Sequence, residues 1–342
     1  MSDEFERVVM RKLSEKAMPL LLAAAVTVAF TGCDGMEFLP DTSDLIPVSQ
    51  ATSQTTAYQR QLFDGNVNPY FAMLNEIEKD AYSQIYEQVY DGNSTFDITV
   101  KINESTLSRV LDAVKNDHPE LFWVDNTFSY TYSTDDGSIC ELTVDFYDFA
   151  DTEEELAEAK NTFNTAAQPI ISAALMYPTI VDRELYIHDY ICENTDYDES
   201  VPYNQSAYSA IVLHKSVCAG YAKSVQYLLQ KVGVTCYYVT GMTEGMGGQV
   251  MNGSEDDGRH SWNMVLIDGE FYNLDSLWDD TASDTYGSAI YPFFNLDDTN
   301  LKYHARIGLA VNLPACTGTE YKYSNKFGST IEVENISFTS ED

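Results

Sequence analysis

One cysteine in this sequence stands where a thiol could act as a nucleophile. Cys218 lies in the segment SVCAGYA, and after it apolar residues recur at helical spacing from Ala222 to Val232. This spacing places Cys218 at a helix N-terminus, where free amide N–H groups and the positive end of the helix dipole favour the nucleophilic thiolate. The Ala-Gly pair that follows adds no bulk beside the sulfur, so we expect a substrate carbonyl to approach it closely. Alone, such a cysteine is more often a small buried apolar residue.

A histidine and an aspartate further along can complete a catalytic unit. An Asp-Gly pair at 268–269 is a strong hairpin signal, so segments 260–267 and 270–275 are predicted to be adjacent antiparallel strands. His260 begins the first strand and Asp275 ends the second, which makes the two residues neighbours. The carboxylate can then hold the imidazole in one tautomer and orientation while the other ring nitrogen faces a thiol.

Three short motifs carry a resemblance to a known family. SVCAGYA, HSWN and YNLDSLWDD resemble the motifs of the transglutaminase-like superfamily, papain-type enzymes whose Cys, His and Asp occur in this order. The resemblance covers about residues 180–282. It implies that Cys218 is the nucleophile, His260 the general base and Asp275 the residue that orients the histidine. Ser276 stands where the family often has proline.

The resemblance also implies an α+β fold. Its papain-like transglutaminase core is a nucleophile helix packed on an antiparallel sheet, and here a small α/β N-terminal module precedes it. The chain divides into a predicted signal peptide, tether, N-terminal module and catalytic domain, at residues 1–32, 33–60, 61–150 and 151–342. The N-terminal module has no motif of its own, and we expect it to present substrate or bind a partner.

The chemistry that these residues support is acyl transfer. The Cys218 thiolate attacks an amide carbonyl, His260 protonates the leaving amine, and a thioester results. Water would complete a peptidase or amidase reaction, a lysine-like amine would complete a transglutaminase reaction, and the sequence leaves both open. No cofactor is needed. The alternative is an inactive cell-surface binding or adhesion module that keeps the fold.

Stabilising the oxyanion requires hydrogen-bond donors near the sulfur. The backbone N–H of Cys218 can supply one donor. Tyr203, Gln205 and Tyr208 lie upstream and are candidates for the second, although each taken singly is more often a loop or packing residue.

The N-terminus predicts export. Arg11, Lys12 and Lys16 precede an uncharged apolar run, Ala17 to Phe30, which is typical of a signal peptide. The sequence FTGC resembles a bacterial lipobox, in which Cys33 would be acylated; an ordinary signal peptide with a coincidental cysteine is the alternative. We expect a lipoprotein at the bacterial cell surface, held to the membrane only by its lipid.

Charge and cysteine spacing exclude several classes of function. The 342 residues hold 19 Lys and Arg against 54 Asp and Glu, a net charge of −35, so the chain lacks the basic face that nucleic acids or anionic lipid headgroups require. No two cysteines have CxxC spacing, and no zinc or other metal site is predicted. The expected substrate is a protein or peptide, including cell-wall peptide. Disulfide pairing is left open.

Periodicity predicts the main elements, and several polar residues receive structural interpretations. The predicted helices are 75–90, 105–117, 152–175 and 180–198, and the predicted strands are 94–102, 128–133, 139–149 and 236–242. We expect Pro169 to kink or split its helix. Outside the catalytic motifs, His188 is assigned to an amphipathic face, Asp279, Asp280 and Asp284 to a solvated turn, His214 and His304 to structural positions, and Trp262 to the core or to shielding His260.

Overall fold

A computed structural model describes residues 63–243 and 258–331, together with the backbone of a strand at 24–29. Cys33 and the tether lie outside the described residues, so the predictions of a lipid anchor and a flexible tether stay predictions. Within the described part of the chain, no helix is both long and apolar enough to cross a membrane.

Helices and strands alternate along the chain. The α-helices are α1 Pro69–Ala72, α2 Glu76–Tyr90, α3 Glu104–Asp117, α4 Glu153–Ala174, α5 Ile180–Asn194, α6 Cys218–Lys231, α7 Ser276–Tyr286 and α8 Tyr323–Lys326. The strands are β1 Ala24–Ala29, β2 Thr95–Asp97, β3 Val124–Tyr132, β4 Ile139–Phe146, β5 Asp196–Tyr197, β6 Lys215–Ser216, β7 Cys236–Thr243, β8 Arg259–Ile267, β9 Glu270–Leu274 and β10 His304–Arg306. Short turns of 3₁₀ helix cover Asp148–Ala150 and Gly308–Asn312, and a π-helical turn covers Ser209–Leu213.

The N-terminal half is a four-stranded antiparallel sheet in the order β1-β3-β4-β2, with two amphipathic helices. The side chain of Asn75 caps α2 by accepting from Ile77 N and Glu78 N, and Asn103 caps α3 in the same way. The predicted helices and the predicted hairpin are therefore confirmed. The first predicted strand is shorter than expected, because only Thr95–Asp97 pairs in the sheet.

The C-terminal half is built on a second antiparallel sheet, in the order β10-β7-β8-β9, and α6 packs against β7 and β8. The predicted β8–β9 hairpin is confirmed. Its two turn residues, Asp268 and Gly269, both have positive φ, at 49° and 86°. A two-residue turn with positive φ at both positions matches the twist of paired strands, which explains why the Asp-Gly signal identified it. The α+β fold class is likewise confirmed.

The long helix α4 is not split at Pro169. We expected the proline to kink or split it, and one helix runs unbroken from Glu153 to Ala174, so the split is wrong. Proline removes a single intrahelical hydrogen bond. The residues around it are buried on one face, including Ala167, Ile170 and Ile171, so packing against the core holds the helix through the defect.

One continuous hydrophobic core joins the two halves. The Tyr70 hydroxyl, in α1, donates to the backbone oxygen of Tyr238 in β7 at 2.5 Å. The Ser206 hydroxyl donates to the backbone oxygen of Phe122 at 2.6 Å. The N-terminal segment therefore packs directly on the sheet and loop that surround the candidate site.

Candidate active site

Cys218 is the first residue of α6, as predicted, and its side chain is buried within the N-terminal turn. Val217 precedes it in an extended conformation and provides no side-chain cap for the helix. Since a valine side chain cannot accept hydrogen bonds, no side-chain cap engages the amide groups of the first turn, which Cys218 begins. This is the environment in which a thiolate is favoured.

Gly220 has a different role from the one predicted. A Cβ at this position would lie 1.8 Å from Ser216 Oγ, 2.8 Å from Ser206 O and 2.9 Å from Asn204 O. The bare face of the glycine therefore meets the protein's own loop and not a substrate. The prediction that the small residue leaves room for a substrate carbonyl is wrong for Gly220, which is required by close chain packing.

His260 and Asp275 meet at the end of the β8–β9 hairpin. His260 Nε2 lies 2.6 Å from Asp275 Oδ2, and both side chains are buried. Asp275 is also the N-cap of α7, because its Oδ1 accepts from Trp278 N at 3.1 Å. Burial raises the pKa of Asp275, but charge and hydrogen bonds from His260 and His304 outweigh it and hold the pKa well below its usual range.

His304 is a residue of this site that sequence reasoning missed. Its Nε2 lies 2.9 Å from the same Oδ2 of Asp275, and its Nδ1 lies 2.9 Å from the backbone oxygen of Lys302. The assignment of His304 to a purely structural position is therefore incomplete. No local motif marks it, since it reaches the site through the pairing of β10 with β7, where it lies opposite Thr243.

Aromatic rings enclose the two histidines. The Trp262 ring stacks near His260, with centroids 6.1 Å apart and planes 20° apart, while its Nε1 donates to Asn273 Oδ1 at 3.1 Å. Both interpretations of Trp262 hold, because it is buried in the core and also covers the imidazole. Gly241 allows this packing, since a Cβ there would lie 2.2 Å from the Trp262 ring.

Two of the three candidate oxyanion donors are engaged elsewhere. The Tyr203 hydroxyl donates to the Asp148 carboxylate in the N-terminal half. The Tyr208 ring stacks on Phe149, with centroids 4.7 Å apart. Both side chains thus fasten the loop to the N-terminal half.

Gln205, the third candidate, lies beside the first turn of α6. The backbone oxygen of Asn204 accepts from Val217 N at 3.3 Å, and the backbone oxygens of residues 204 and 206 both face Gly220. Gln205 stands between these two contacts. Its side-chain oxygen is buried and has no hydrogen-bond partner among the residues that the structure describes.

A second polar cluster lies beneath the first turn of α7. His188 Nε2 lies 3.1 Å from Asp279 Oδ2, and the Cys192 thiol donates to the backbone oxygen of Ser276 at 3.2 Å. Burial raises the pKa of Asp279 to about 6 and that of Cys192 to about 11, so Cys192 is a thiol at neutral pH. His188 is buried, and its role is to bind Asp279 and not merely to line an amphipathic face.

The predicted solvated turn at Asp279, Asp280 and Asp284 is instead the helix α7. Asp279 is fully buried, and Asp280 accepts from the Tyr221 hydroxyl at 2.7 Å. Burial raises the pKa of Asp280 to about 7. Only Asp284 is exposed, as the prediction required.

Within residues 63–243 and 258–331, one group of three His, Cys, Asp or Glu residues has its possible metal-ligand atoms close together. This group is His260, Asp275 and His304, whose ligand atoms all lie within 4.8 Å of one another. The N–O distances of 2.6 and 2.9 Å are direct hydrogen bonds. Two ligands on a tetrahedral zinc are separated by about 3.3 Å, given metal–ligand bonds of about 2.0 Å. The arrangement therefore fits a hydrogen-bonded cluster and not a metal site.

Comparison with known proteins identifies the segment that holds Cys218, His260 and Asp275. Residues 166–276 match the family model described as the transglutaminase-like superfamily, which includes cysteine peptidases and transglutaminases. The human (Homo sapiens) kyphoscoliosis peptidase is 22% identical over 200 residues, which are 57% of this chain and 30% of that protein. The chain thus spans under a third of this curated relative.

Solved structures with related titles superpose weakly. A crystal structure of a TGase has a TM-score of 0.30 at 13% identity, covering 59% of this chain and 57% of that chain. The periplasmic domain of TgpA from Pseudomonas aeruginosa has a TM-score of 0.28 at 12% identity, covering 42% and 57%. At these scores the superpositions add no argument, and the assignment rests on the family model. Residues 166–276 thus contain a transglutaminase-like domain, as the resemblance of the three motifs predicted.

Proposed function

We propose that this protein is a cysteine-dependent acyl-transfer enzyme that acts on amide or peptide bonds through Cys218, His260 and Asp275. The observation that carries the proposal is the 2.6 Å contact between His260 Nε2 and Asp275 Oδ2. It fixes the imidazole by one nitrogen and leaves Nδ1 for the Cys218 thiol, which begins the helix packed on the same sheet.

The reaction proceeds in two halves. The Cys218 thiolate attacks the amide carbon, and the carbonyl oxygen takes up the negative charge. As the C–N bond breaks, His260 gives its Nδ1 proton to the leaving amine, and a thioester remains on the sulfur. Water or a primary amine then attacks the thioester and passes a proton to His260. The Cys218 sulfur leaves as the thiolate, so the starting ionisation state is restored.

The developing oxyanion needs two donors, and we propose Gln205 as the second. The first donor is the backbone N–H of Cys218 at the start of α6. The Tyr203 hydroxyl and the Tyr208 ring are committed to the N-terminal half. Gln205 lies between Asn204 and Ser206, whose backbone oxygens face Gly220, and the donor that it would offer is its Nε2 amide.

Selective alkylation tests this proposal. We expect limiting iodoacetamide at about pH 5.5 to label Cys218 before the other thiols, because an ordinary thiol has a pKa of about 8.5 and is nearly inert there. In a His260→Ala variant the labelling rate should fall about tenfold or more, since the imidazolium that stabilises the thiolate is gone. Mass spectrometry of the digested protein measures the label at each cysteine.

The matched control is His214→Ala, which removes an exposed imidazole that is hydrogen-bonded to the backbone oxygen of Asn194. Its labelling should equal that of the unmodified protein. Slow labelling of Cys218 that is equal in all three proteins would contradict the proposal and favour an inactive binding module. If labelling is selective, amide donors tested with and without added amines distinguish hydrolysis from transamidation.

We also propose that the enzyme is exported, anchored by acylated Cys33, and acts on proteins or peptides at the bacterial cell surface, cell-wall peptide included. The support is the sequence pattern alone: three basic residues, an apolar run and FTGC. Mass spectrometry of the N-terminal peptide decides the point, since an unacylated Cys33 in the membrane fraction would contradict it.

A further inference from the structure

We propose that His304 is a positively charged positioning residue of the catalytic unit, which binds Asp275 beside His260 and sets the pH range in which Cys218 and His260 form an ion pair. This inference rests on the proposed acyl-transfer function. His304 lies on β10, an edge strand of the sheet, and acts on the reacting atoms through Asp275.

The position of the His304 hydrogens follows from its two contacts. Its Nδ1 lies 2.9 Å from the backbone oxygen of Lys302, which can only accept, so Nδ1 carries a hydrogen. Its Nε2 lies 2.9 Å from Oδ2 of Asp275, which is an acceptor when ionised. An imidazole that donates from both nitrogens is an imidazolium, and His304 therefore carries a positive charge.

The ionised state of Asp275 is supported independently of His304. Its Oδ1 accepts the Trp278 amide at the start of α7, and its Oδ2 faces His260 Nε2 at 2.6 Å. A protonated carboxyl would have to use one of these acceptors as a donor. The carboxylate thus serves three donors at once, two of them imidazoles on a single oxygen.

Burial makes this charge arrangement matter. The side chain of His304 is 0% exposed and that of Asp275 is 1% exposed. The rings of Trp278 and Trp262 lie against His304, with centroids 4.4 and 5.0 Å away. Charges interact strongly where water is excluded. The negative charge of the buried Asp275 carboxylate therefore acts strongly on both imidazoles, those of His260 and His304.

Other charged groups around His304 have partners of their own. On β7 the residue opposite is Thr243, which is uncharged. Arg306, also on β10, binds Asp298 at 2.8 Å. On α7, Asp279 binds His188. The charge of His304 is therefore balanced by Asp275, and its ring lies 5.4 Å from that of His260.

The sign of the effect on catalysis follows from the charges. The His304 cation offsets part of the negative field that Asp275 presents to His260, whose ring lies 5.4 Å from that of His304. Loss of this charge leaves the site with one positive charge fewer and should move the pH range of the Cys218–His260 ion pair upwards.

The test combines a charge measurement with a variant. In the unmodified protein at about pH 7, ¹⁵N NMR of labelled histidine should show both nitrogens of His304 protonated, with the signals assigned by their loss in His304→Gln. The glutamine keeps a neutral N–H donor for Asp275 and removes the charge, together with the imidazole ring and its hydrogen bond to Lys302 O. In this variant, the pH profile of Cys218 alkylation by iodoacetamide should shift upwards by about one pH unit.

The control is His214→Gln, which changes an exposed histidine and should leave the profile in place. A His304 with one unprotonated nitrogen at that pH would overturn the inference, as would a variant whose rates fall equally at every pH without a shift. Failure of the proposed function has a different signature, because Cys218 would then be inert in the unmodified protein whatever the NMR spectrum shows.

Discussion

Asp275 illustrates what sequence can and cannot reveal about a single residue. Its contact with His260 was predictable, since a two-residue turn fixes the register of a hairpin and brings its ends together. Its contact with His304 was not, because residue 304 lies 29 positions further along and reaches the site by strand pairing that no local pattern encodes. The contact within the hairpin can be predicted from the sequence, whereas the contact that His304 on the edge strand makes with Asp275 cannot.

Gly220 was recognised from the motif, but the reason for its presence was misjudged. The sequence shows a small residue beside a cysteine and cannot show which surface it faces. Backbone oxygens of Asn204 and Ser206 occupy the space that a side chain would need. The glycine therefore brings the loop that holds Gln205 against the first turn of α6.

Gly220→Ala should lower the free energy of unfolding by about 2 kcal/mol, the usual cost of overpacking a close contact. At an exposed helical position the same change would raise it by about 1 kcal/mol, because alanine is the better helix former, so the sign distinguishes the two cases. Urea denaturation measures the difference.

A double variant, Gly220→Ala with Ser216→Ala, identifies which contact is responsible. It removes the hydroxyl 1.8 Å from the added Cβ but leaves the two backbone oxygens in place. We expect it to remain less stable than Ser216→Ala alone. A Gly220→Ala protein as stable as the unmodified one would show that the loop does not need this approach.

At the scale of elements, α7 was the main one missed. Its acidic sequence is typical of a solvated turn, yet Asp279 is buried because a histidine 91 positions earlier, on α5, supplies its partner. The Cys192 thiol on the same helix binds the backbone oxygen of Ser276. Helix α5 thereby holds the first turn of α7, and with it the Asp275 carboxylate that caps this turn.

Helix α5 should make stability depend on pH through Glu184. This residue is fully buried, and burial raises its pKa from 4.5 to about 8, although a hydrogen bond from Asn295 opposes the change. The folded protein therefore holds this proton more tightly than the unfolded chain. The stability contribution is complete below about pH 4.5 and is lost as pH rises towards about 8.

Between pH 4.5 and 8, the free energy of unfolding should fall by roughly 3–5 kcal/mol less in Glu184→Gln than in the unmodified protein. Glutamine stays neutral and can still accept from Asn295. The exposed Glu193 on the same helix provides the control, and Glu193→Gln should leave the pH profile unchanged. Denaturation series at several pH values measure it. An unaltered slope in Glu184→Gln would show that the carboxyl is ionised in the folded protein.

At the scale of the whole molecule, the family resemblance covers less of the chain than the fold does. The motifs lie in residues 180–282, and nothing in the sequence pattern shows that the preceding segment touches them. In the structure, Asp148 and Phe149 hold Tyr203 and Tyr208, on the loop beside Cys218. Such contacts join residues more than 50 positions apart by side-chain packing, which periodicity cannot predict.

Because the two halves share one core, we expect them to unfold as a single cooperative unit. Pulse-labelling hydrogen exchange at increasing urea should give the same midpoint for peptides from α3 and from β7. Tyr70→Phe removes the hydroxyl that donates to Tyr238 O and should lower both midpoints together, by about 1 kcal/mol in the free energy of unfolding. Tyr90→Phe, at a tyrosine that is 47% exposed, is the control. An α3 transition at lower urea than that of β7 would mean that the N-terminal half unfolds independently. Its contacts with the loop at 203–208 would then break while the catalytic domain stays folded.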